Sequence, residues 1–200
     1  MDEFEGFILV GGASSRMGTD KAWLELDGRS FVERIQSALV SITTKTSLVG
    51  AKEGGAALSL LPSVADVHVK WGALGGLHAA LAASDARWAA VVACDLPFVT
   101  GELFVRLASL RENFDAVVPQ QPDGRRQPLC ALYRTTVCRD RAEELIEAGE
   151  RRPRALLDAV QTRLVAFEEL SDLDGASDFF INVNTPEDFA EARRRRKSDE

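Results

Sequence analysis

The 200-residue chain has few of the residues that build metal centres and cross-links: three cysteines, Cys94, Cys130 and Cys138, and two histidines, His68 and His78. The cysteine spacings fit no zinc template, and an odd count cannot pair fully within one chain. Reduced, buried thiols are expected, and no Cys/His metal cluster. No run approaches the ~18 uninterrupted apolar residues of a spanning helix. A basic excess is missing too: 24 Lys and Arg face 31 Asp and Glu, for a net charge of −7. That disfavours nucleic acid as a partner, although a site can be locally basic on an acidic protein. The opening Met1-Asp2-Glu3-Phe4-Glu5 is acidic where a signal peptide is basic. A cytoplasmic protein without membrane contact is expected. Internal repeats and Pro/Gly/Ser-rich linkers are absent as well. At 46% hydrophobic and 28% charged residues, the chain can build a core and a charged surface, unlike a disordered one. One domain over 1–200 is expected, with 191–200 a frayed tail.

Short apolar runs alternate with helix-period segments. Phe7–Val10 stops at Gly11-Gly12 and predicts a buried strand. Ser30–Val40 carries Phe31, Ile35, Ala38 and Leu39 on one helix face. Strands are predicted at 47–49, 88–94, 116–118, 129–133, 164–167 and 180–183. Gly72–Gly76 reads as a turn before a helix over 77–83. Thr100 can cap a helix whose apolar face holds Leu103, Phe104 and Leu107. Further helices are predicted over 136–148, ending at Gly149, and over 154–160 after Pro153. Thr185-Pro186-Glu187-Asp188 is a strong helix start, with a capping threonine, proline at the first position and acids against the dipole. That helix should run to about Arg196. The alternation predicts a Rossmann-like three-layer α/β/α sandwich around a mostly parallel central sheet. Ligands of such sheets bind beyond the carboxyl ends of the strands. Segments 11–21, 95–97 and 182–185 are all predicted there.

The densest chemistry lies in Leu9-Val10-Gly11-Gly12-Ala13-Ser14-Ser15-Arg16-Met17-Gly18-Thr19-Asp20-Lys21. Paired glycines after a strand let backbone N–H groups approach an anion, because no Cβ intervenes. Ser14 and Ser15 add hydroxyl donors, and Arg16 and Lys21 add cations of the kind a polyphosphate needs. The spacing matches neither G-x-x-x-x-G-K-[ST] nor G-x-G-x-x-G. Asp95, in Cys94-Asp95-Leu96-Pro97-Phe98, ends the most hydrophobic predicted strand. Magnesium takes such carboxylates together with substrate phosphates; an Asp capping the next turn is the plainer reading. Asn182 and Asn184 would share a face if the strand continues; alternatively they only shape the turn before the helix. Arg125, Arg126, Arg151, Arg152 and Arg154 read as surface cations that could also meet an anion. His78 reads as a packing residue rather than a catalytic one.

The 9–21 stretch resembles the L-x-G-G-x-[SA]-x-R-M-G-x-D-K signature of sugar-phosphate-type nucleotidyltransferases. It is most similar to the molybdenum cofactor guanylyltransferases (the MobA family). Cys94-Asp95-Leu96-Pro97 resembles that family's C-D-x-P element, Asn182–Asp188 its N-x-N-T-P-E-[DE] element, and Gln127–Tyr133 its [HQ]-P-L-x-A-L-Y strand. Asp66 with Gly72–Leu77 resembles an Asp followed by G-P-L-[AG]-G. There Ala73 stands in place of proline, and Val67–Trp71 departs from the usual connection. The family's asparagine near the end of its second strand has no counterpart, since Gly50 or Ala51 stands about there.

The resemblance implies transfer of GMP from GTP onto the phosphate of molybdopterin, with release of pyrophosphate and a requirement for Mg2+. It implies a nucleotide site formed by Leu9, Val10, Gly11, Gly12, Ser14, Lys21, Asp66, Gly72 and Asp95. Arg16, Lys21 and Asp95 would be catalytic, with Asp95 as metal ligand. Asn182, Asn184, Gln127 and Arg125 would serve the acceptor or the metal shell. GTP and molybdopterin would be the small-molecule partners, with molybdoenzymes or their chaperones receiving the product. Two other readings remain open at this point: a cytidylyltransferase acting on molybdopterin or another phosphorylated acceptor, and a GTP-binding protein without turnover.

Overall fold

The computed structural model describes residues 3–10, 21–51, 60–68 and 71–198. Gly11, Gly12, Ser14 and Arg16 lie outside the described residues, as does the segment 54–59. The centre of the fold is a seven-stranded sheet in the order β5-β4-β1-β6-β8-β7-β9. Its strands are β1 (Phe4–Leu9), β4 (Thr46–Val49), β5 (Ser63–Val64), β6 (Trp88–Ala93), β7 (Ala116–Pro119), β8 (Cys130–Arg134) and β9 (Thr162–Val165). All neighbours pair in parallel except β8, which runs against both β6 and β7. The predicted mostly parallel sheet is therefore observed, with one reversed strand.

Helices cover both faces. On one, α1 (Phe31–Leu39) and α3 (Gly101–Ser109) bury Val32, Ile35, Leu103, Phe104 and Leu107 against Ile8, Leu48, Val92 and Leu132. On the other, α2 (Gly72–Ala82), α4 (Thr135–Glu147) and α5 (Pro153–Ala159) bury Leu74, Leu77, Cys138, Ala142 and Leu156 against Phe7, Leu9, Val91 and Tyr133. Alternate residues of one strand face opposite layers, so Phe7 and Ile8 enter different cores. A third cluster joins Leu26, Phe31, Val183 and Ala192. It seats α6 (Pro186–Ser198) against the small hairpin of β2 (Glu25–Leu26) and β3 (Arg29–Ser30).

The local signals explain the helix starts. Ser30 and Glu33 form a reciprocal capping box at α1, with Glu33 N–H donating to Ser30 Oγ at 3.2 Å and Ser30 N–H to Glu33 Oε2 at 2.7 Å. Thr100 caps α3 by accepting from Leu103 N–H. Thr185 Oγ accepts from Asp188 N–H at α6, and Asp188 Oδ2 accepts in return from the Asn184 and Thr185 N–H groups, each at 2.9 Å.

Several elements differ from the sequence reading. Gly72–Gly76 is not a turn but the start of α2, because Leu74 and Leu77 must reach the core. The predicted strand at 180–183 is absent: a short 3₁₀ turn at Ala176–Asp178 leads into an extended segment outside the sheet. The strand expected at 164–167 is β9, two residues earlier. Helix α6 continues through 191–198, the stretch whose composition suggests fraying, and Arg195 there pairs with Asp178 and Glu191. The three cysteines are reduced and buried. Burial pushes the Cys130 and Cys138 thiols up to about 12, so neither is a reactive thiolate. Among the described residues no helix is long and apolar enough to cross a membrane.

Candidate active site

The order of connections decides where a ligand can enter. From β1 the chain moves outward to β4 and β5, then returns through α2 to β6 on the other side of β1. The crossover through α1 lies on one face and that through α2 on the other. A crevice therefore opens beyond the carboxyl ends of β1 and β6, the switch point of the sheet. The chain leaves β1 there at Val10, and Asp95 follows β6 by two residues.

Strand pairing fixes the backbone at this crevice. Cys94 N–H donates to Leu9 O at 3.0 Å and Val10 N–H to Val49 O at 3.0 Å. Leu9 and Val10 are themselves buried, on opposite faces of the sheet. Whatever they offer a ligand is backbone, not side chain. The 182–185 segment is held by Val183 N–H donating to Asp95 O at 2.9 Å. With Val183 buried between them, Asn182 and Asn184 are both exposed. The alternation inferred for a strand thus survives although the strand does not.

Lys21 bridges the two segments. Its Nζ donates to Asn184 Oδ1 at 2.9 Å and lies 3.5 Å from Asp95 Oδ2. The Lys21 and Asp95 side chains are 17% and 21% exposed. They are dry enough to interact more strongly than a surface pair, and open enough to meet a ligand. Three residues from distant parts of the sequence meet within one hydrogen-bonding neighbourhood.

The reversed strand supplies the facing wall. Because β8 is antiparallel, its beginning lies at the same end of the sheet as the end of β6, and Ala93 N–H donates to Leu129 O at 2.8 Å. This brings Gln127 opposite Asp95. Between them opens a cavity of about 460 Å³, within the range of small-molecule sites. Asp95, Gln127 and Asn182 line it together with Arg125, Arg126, Arg152 and Arg154. Arg125 pairs with Asp123 at 2.7 Å, Arg126 with Asp158, and Arg152 with Glu150 at 2.8 Å. Arg154 forms no ion pair with a described residue. Arg125, Arg152 and Arg154 are exposed and Arg126 partly so, as expected of surface cations, and the turn at 120–126 and the start of α5 gather all four around one cavity. Arg151 does not join them, since its guanidinium stacks on the Trp71 ring at 4.6 Å.

Asp66 is exposed just past β5. Gly72 opens α2 at φ +71, a backbone region that glycine enters without strain, and its neighbour Ala73 lines the cavity. One further grouping carries no signal in the sequence: His68 and His78 both meet Glu143.

The family model described as the MobA-like NTP transferase domain matches residues 6–165. The chain belongs to this family. A relative from Bacillus cereus (strain Q1), called "Probable molybdenum cofactor guanylyltransferase", is 33% identical over 97% of this chain and 98% of its own length. A Bacillus thuringiensis (strain Al Hakam) protein of the same name matches at the same identity and coverage. Among solved structures, molybdopterin-guanine dinucleotide biosynthesis protein A from Archaeoglobus fulgidus superposes with a TM-score of 0.81. Its identity is 26%, with 97% of this chain and 99% of that chain covered. The 2-C-methyl-D-erythritol 4-phosphate cytidylyltransferase from Thermus thermophilus gives 0.67 at 16% identity, covering 96% and 98% of the two chains. That likeness is one of fold alone.

Proposed function

We propose that this chain is a molybdenum cofactor guanylyltransferase, moving GMP from GTP onto the phosphate of molybdopterin and releasing pyrophosphate. The observation that carries the reading is the meeting of Lys21, Asp95 and Asn184 beside an arginine-lined cavity, in a chain matched end to end by relatives of that name. In this reading Gly11, Gly12, Ser14 and the neighbouring backbone, including Leu9 and Val10, cradle the triphosphate. Arg16 and Lys21 neutralise charge as pyrophosphate departs. Asp66 and Gly72 line the nucleoside side. A phosphate oxygen of molybdopterin attacks the α-phosphorus of GTP in line; the new P–O bond replaces the bond to pyrophosphate, which leaves with its electron pair. The attacking phosphate is largely ionised near neutral pH, its second pKa being about 6, so no general base is needed. Catalysis is then placement and electrostatics.

Mg2+ belongs to this reading, and the donor set fits it. Asp95 offers a carboxylate and Asn182 an amide oxygen beside it in the cavity, the hard ligands magnesium prefers, while Asn184 Oδ1 accepts from Lys21 and would join them only when the ammonium turns to phosphate. Bound there, magnesium would screen phosphate charge. Arg125, Arg126, Arg152 and Arg154, with Gln127, face the anionic acceptor. Both sites sit in one domain, the reaction runs in the cytoplasm, where buried cysteines stay reduced, and the product passes to molybdoenzymes or their chaperones.

Calorimetric titration with GTP, CTP, ATP and UTP, each with magnesium, tests the base assignment. GTP is expected to bind at least about tenfold more tightly than CTP, a difference of roughly 1.4 kcal/mol. Tighter binding of CTP would move the chain to the cytidylyl branch.

A further inference from the structure

We propose that His68, His78 and Glu143 form a binding site for a divalent transition-metal ion of the zinc class, separate from the nucleotide site. His68 follows β5, His78 lies in the middle of α2, and Glu143 lies on α4. Nε2 of His68 and Nε2 of His78 each stand 2.8 Å from Glu143 Oε2. The imidazole centroids are 5.0 Å apart, inclined at 59°. One ligand atom from each residue falls within 4.8 Å of the others, and among the described residues no other trio of His, Cys, Asp or Glu does so.

The ligand chemistry selects the ion. Two imidazole nitrogens and one carboxylate oxygen suit zinc, and poorly suit magnesium, which prefers oxygen. Tetrahedral ligands about 2.0–2.1 Å from zinc stand roughly 3.3 Å from one another. Side-chain shifts of about half an ångström would open the 2.8 Å contacts to that spacing. Burial is graded across the trio: the His78 side chain is 6% exposed, that of His68 25% and that of Glu143 40%. One ligand is rooted in the core, and the other two leave a side open to a fourth ligand from water.

The ion would act on the neighbouring fold. Asp66 lies two residues before His68, and Gly72 opens the helix that carries His78. Trp71 between them donates to Glu150 O at 2.8 Å, so the wall of Asp66, Trp71 and Gly72 already docks just past the end of α4. A bound ion would fasten this wall to α4 at a second point. The role is structural, and the site needs no part of the transfer reaction.

The test uses tag-free full-length protein stripped with a chelator, then titrated with Zn2+ by calorimetry and with Co2+ followed by its visible d–d bands. One tightly bound Zn2+ is expected, undisplaced by excess Mg2+, together with the intense bands of a four-coordinate cobalt site. Glu143→Gln and the partly exposed His68→Gln should each weaken binding by at least about tenfold and keep the parent circular dichroism. Asp95→Asn should bind zinc as the parent does. Zinc should raise the thermal midpoint of the parent but not of Glu143→Gln. Absence of tight zinc binding, or binding unchanged in both Gln variants, overturns the proposal. Loss of zinc in Asp95→Asn alone overturns it too, by placing the ion in the nucleotide site.

Discussion

At the scale of single residues, Lys21 is the hinge of the site. It is held between Asn184 and Asp95, so its ammonium is positioned before any triphosphate arrives. A hydrogen bond to a charged group is worth about 1.5–3 kcal/mol. Lys21→Ala should therefore weaken GTP binding roughly 10- to 150-fold; an unchanged calorimetric affinity would remove Lys21 from the phosphate site. Asp95→Ala should lower turnover by at least about 10²-fold, the usual cost of losing one preorganised electrostatic group, with the circular dichroism intact. Full activity of that variant in magnesium would end its assignment as metal ligand. Substitution of Arg154 tests which substrate the cavity serves. It lines the cavity without an ion-pair partner among the described residues, so Arg154→Ala should raise KM for the anionic acceptor and leave GTP affinity alone. A loss of GTP affinity instead would move this arginine to the nucleotide side. Asp95, Gln127 and the asparagines could be read from the chain because their motifs are short and ordered. The arginines could be named as possible anion contacts, but not their convergence on one cavity, since it depends on how the 120–126 turn and the start of α5 face each other. Glu143 carried no signal at all, because its histidine partners lie far away in sequence on separate elements.

At the scale of elements, capping and close packing decide what the chain pattern leaves open. The backbone N–H of Asn184 holds the Asp188 carboxyl below its usual range, helped by the Thr185 N–H and hydroxyl. The depressed value belongs to the folded state, so this stabilisation is complete above the ordinary Asp pKa of 3.8 and is lost as pH falls through the lowered one. Asp188→Ala should cost about 1 kcal/mol at roughly pH 7 in denaturant unfolding, and nearly nothing once acid has protonated the parent. An equal cost at both pH values would contradict the assignment. Gly75 explains why a glycine-rich run is a helix. A Cβ there would stand 2.8 Å from Trp71 Cβ and 3.2 Å from His68 O. Gly75→Ala gains up to about 1 kcal/mol of helix propensity but overpacks a contact at a cost of about 1–3 kcal/mol, so a lower thermal midpoint is expected; a higher one would show that Trp71 yields freely. The apolar stretch 180–183 imitates a strand because Val183 covers α6 and the hairpin rather than a sheet face. Asp27-Gly28, both at positive φ, is a two-residue hairpin signal and marks the turn between β2 and β3.

At the scale of the whole molecule, alternating strands and helices dictated the layered sheet, and the glycine-rich exit of β1 pointed to its carboxyl end. Strand order and the reversal of β8 are matters of long-range pairing that periodicity does not encode. Yet they create the site, by opening the crevice between β1 and β6 and turning the start of β8 toward it. Guanylyl transfer is the central claim, and one reaction tests it. Purified protein would be given GTP or CTP, magnesium and molybdopterin, with the dinucleotide product and pyrophosphate both measured. The expected result is guanine dinucleotide and pyrophosphate in equal amounts with GTP, and at least about a hundredfold less product with CTP, the discrimination a site built to hydrogen-bond one base can reach. Product from CTP in preference to GTP, or no transfer from GTP to a competent acceptor, would contradict the account.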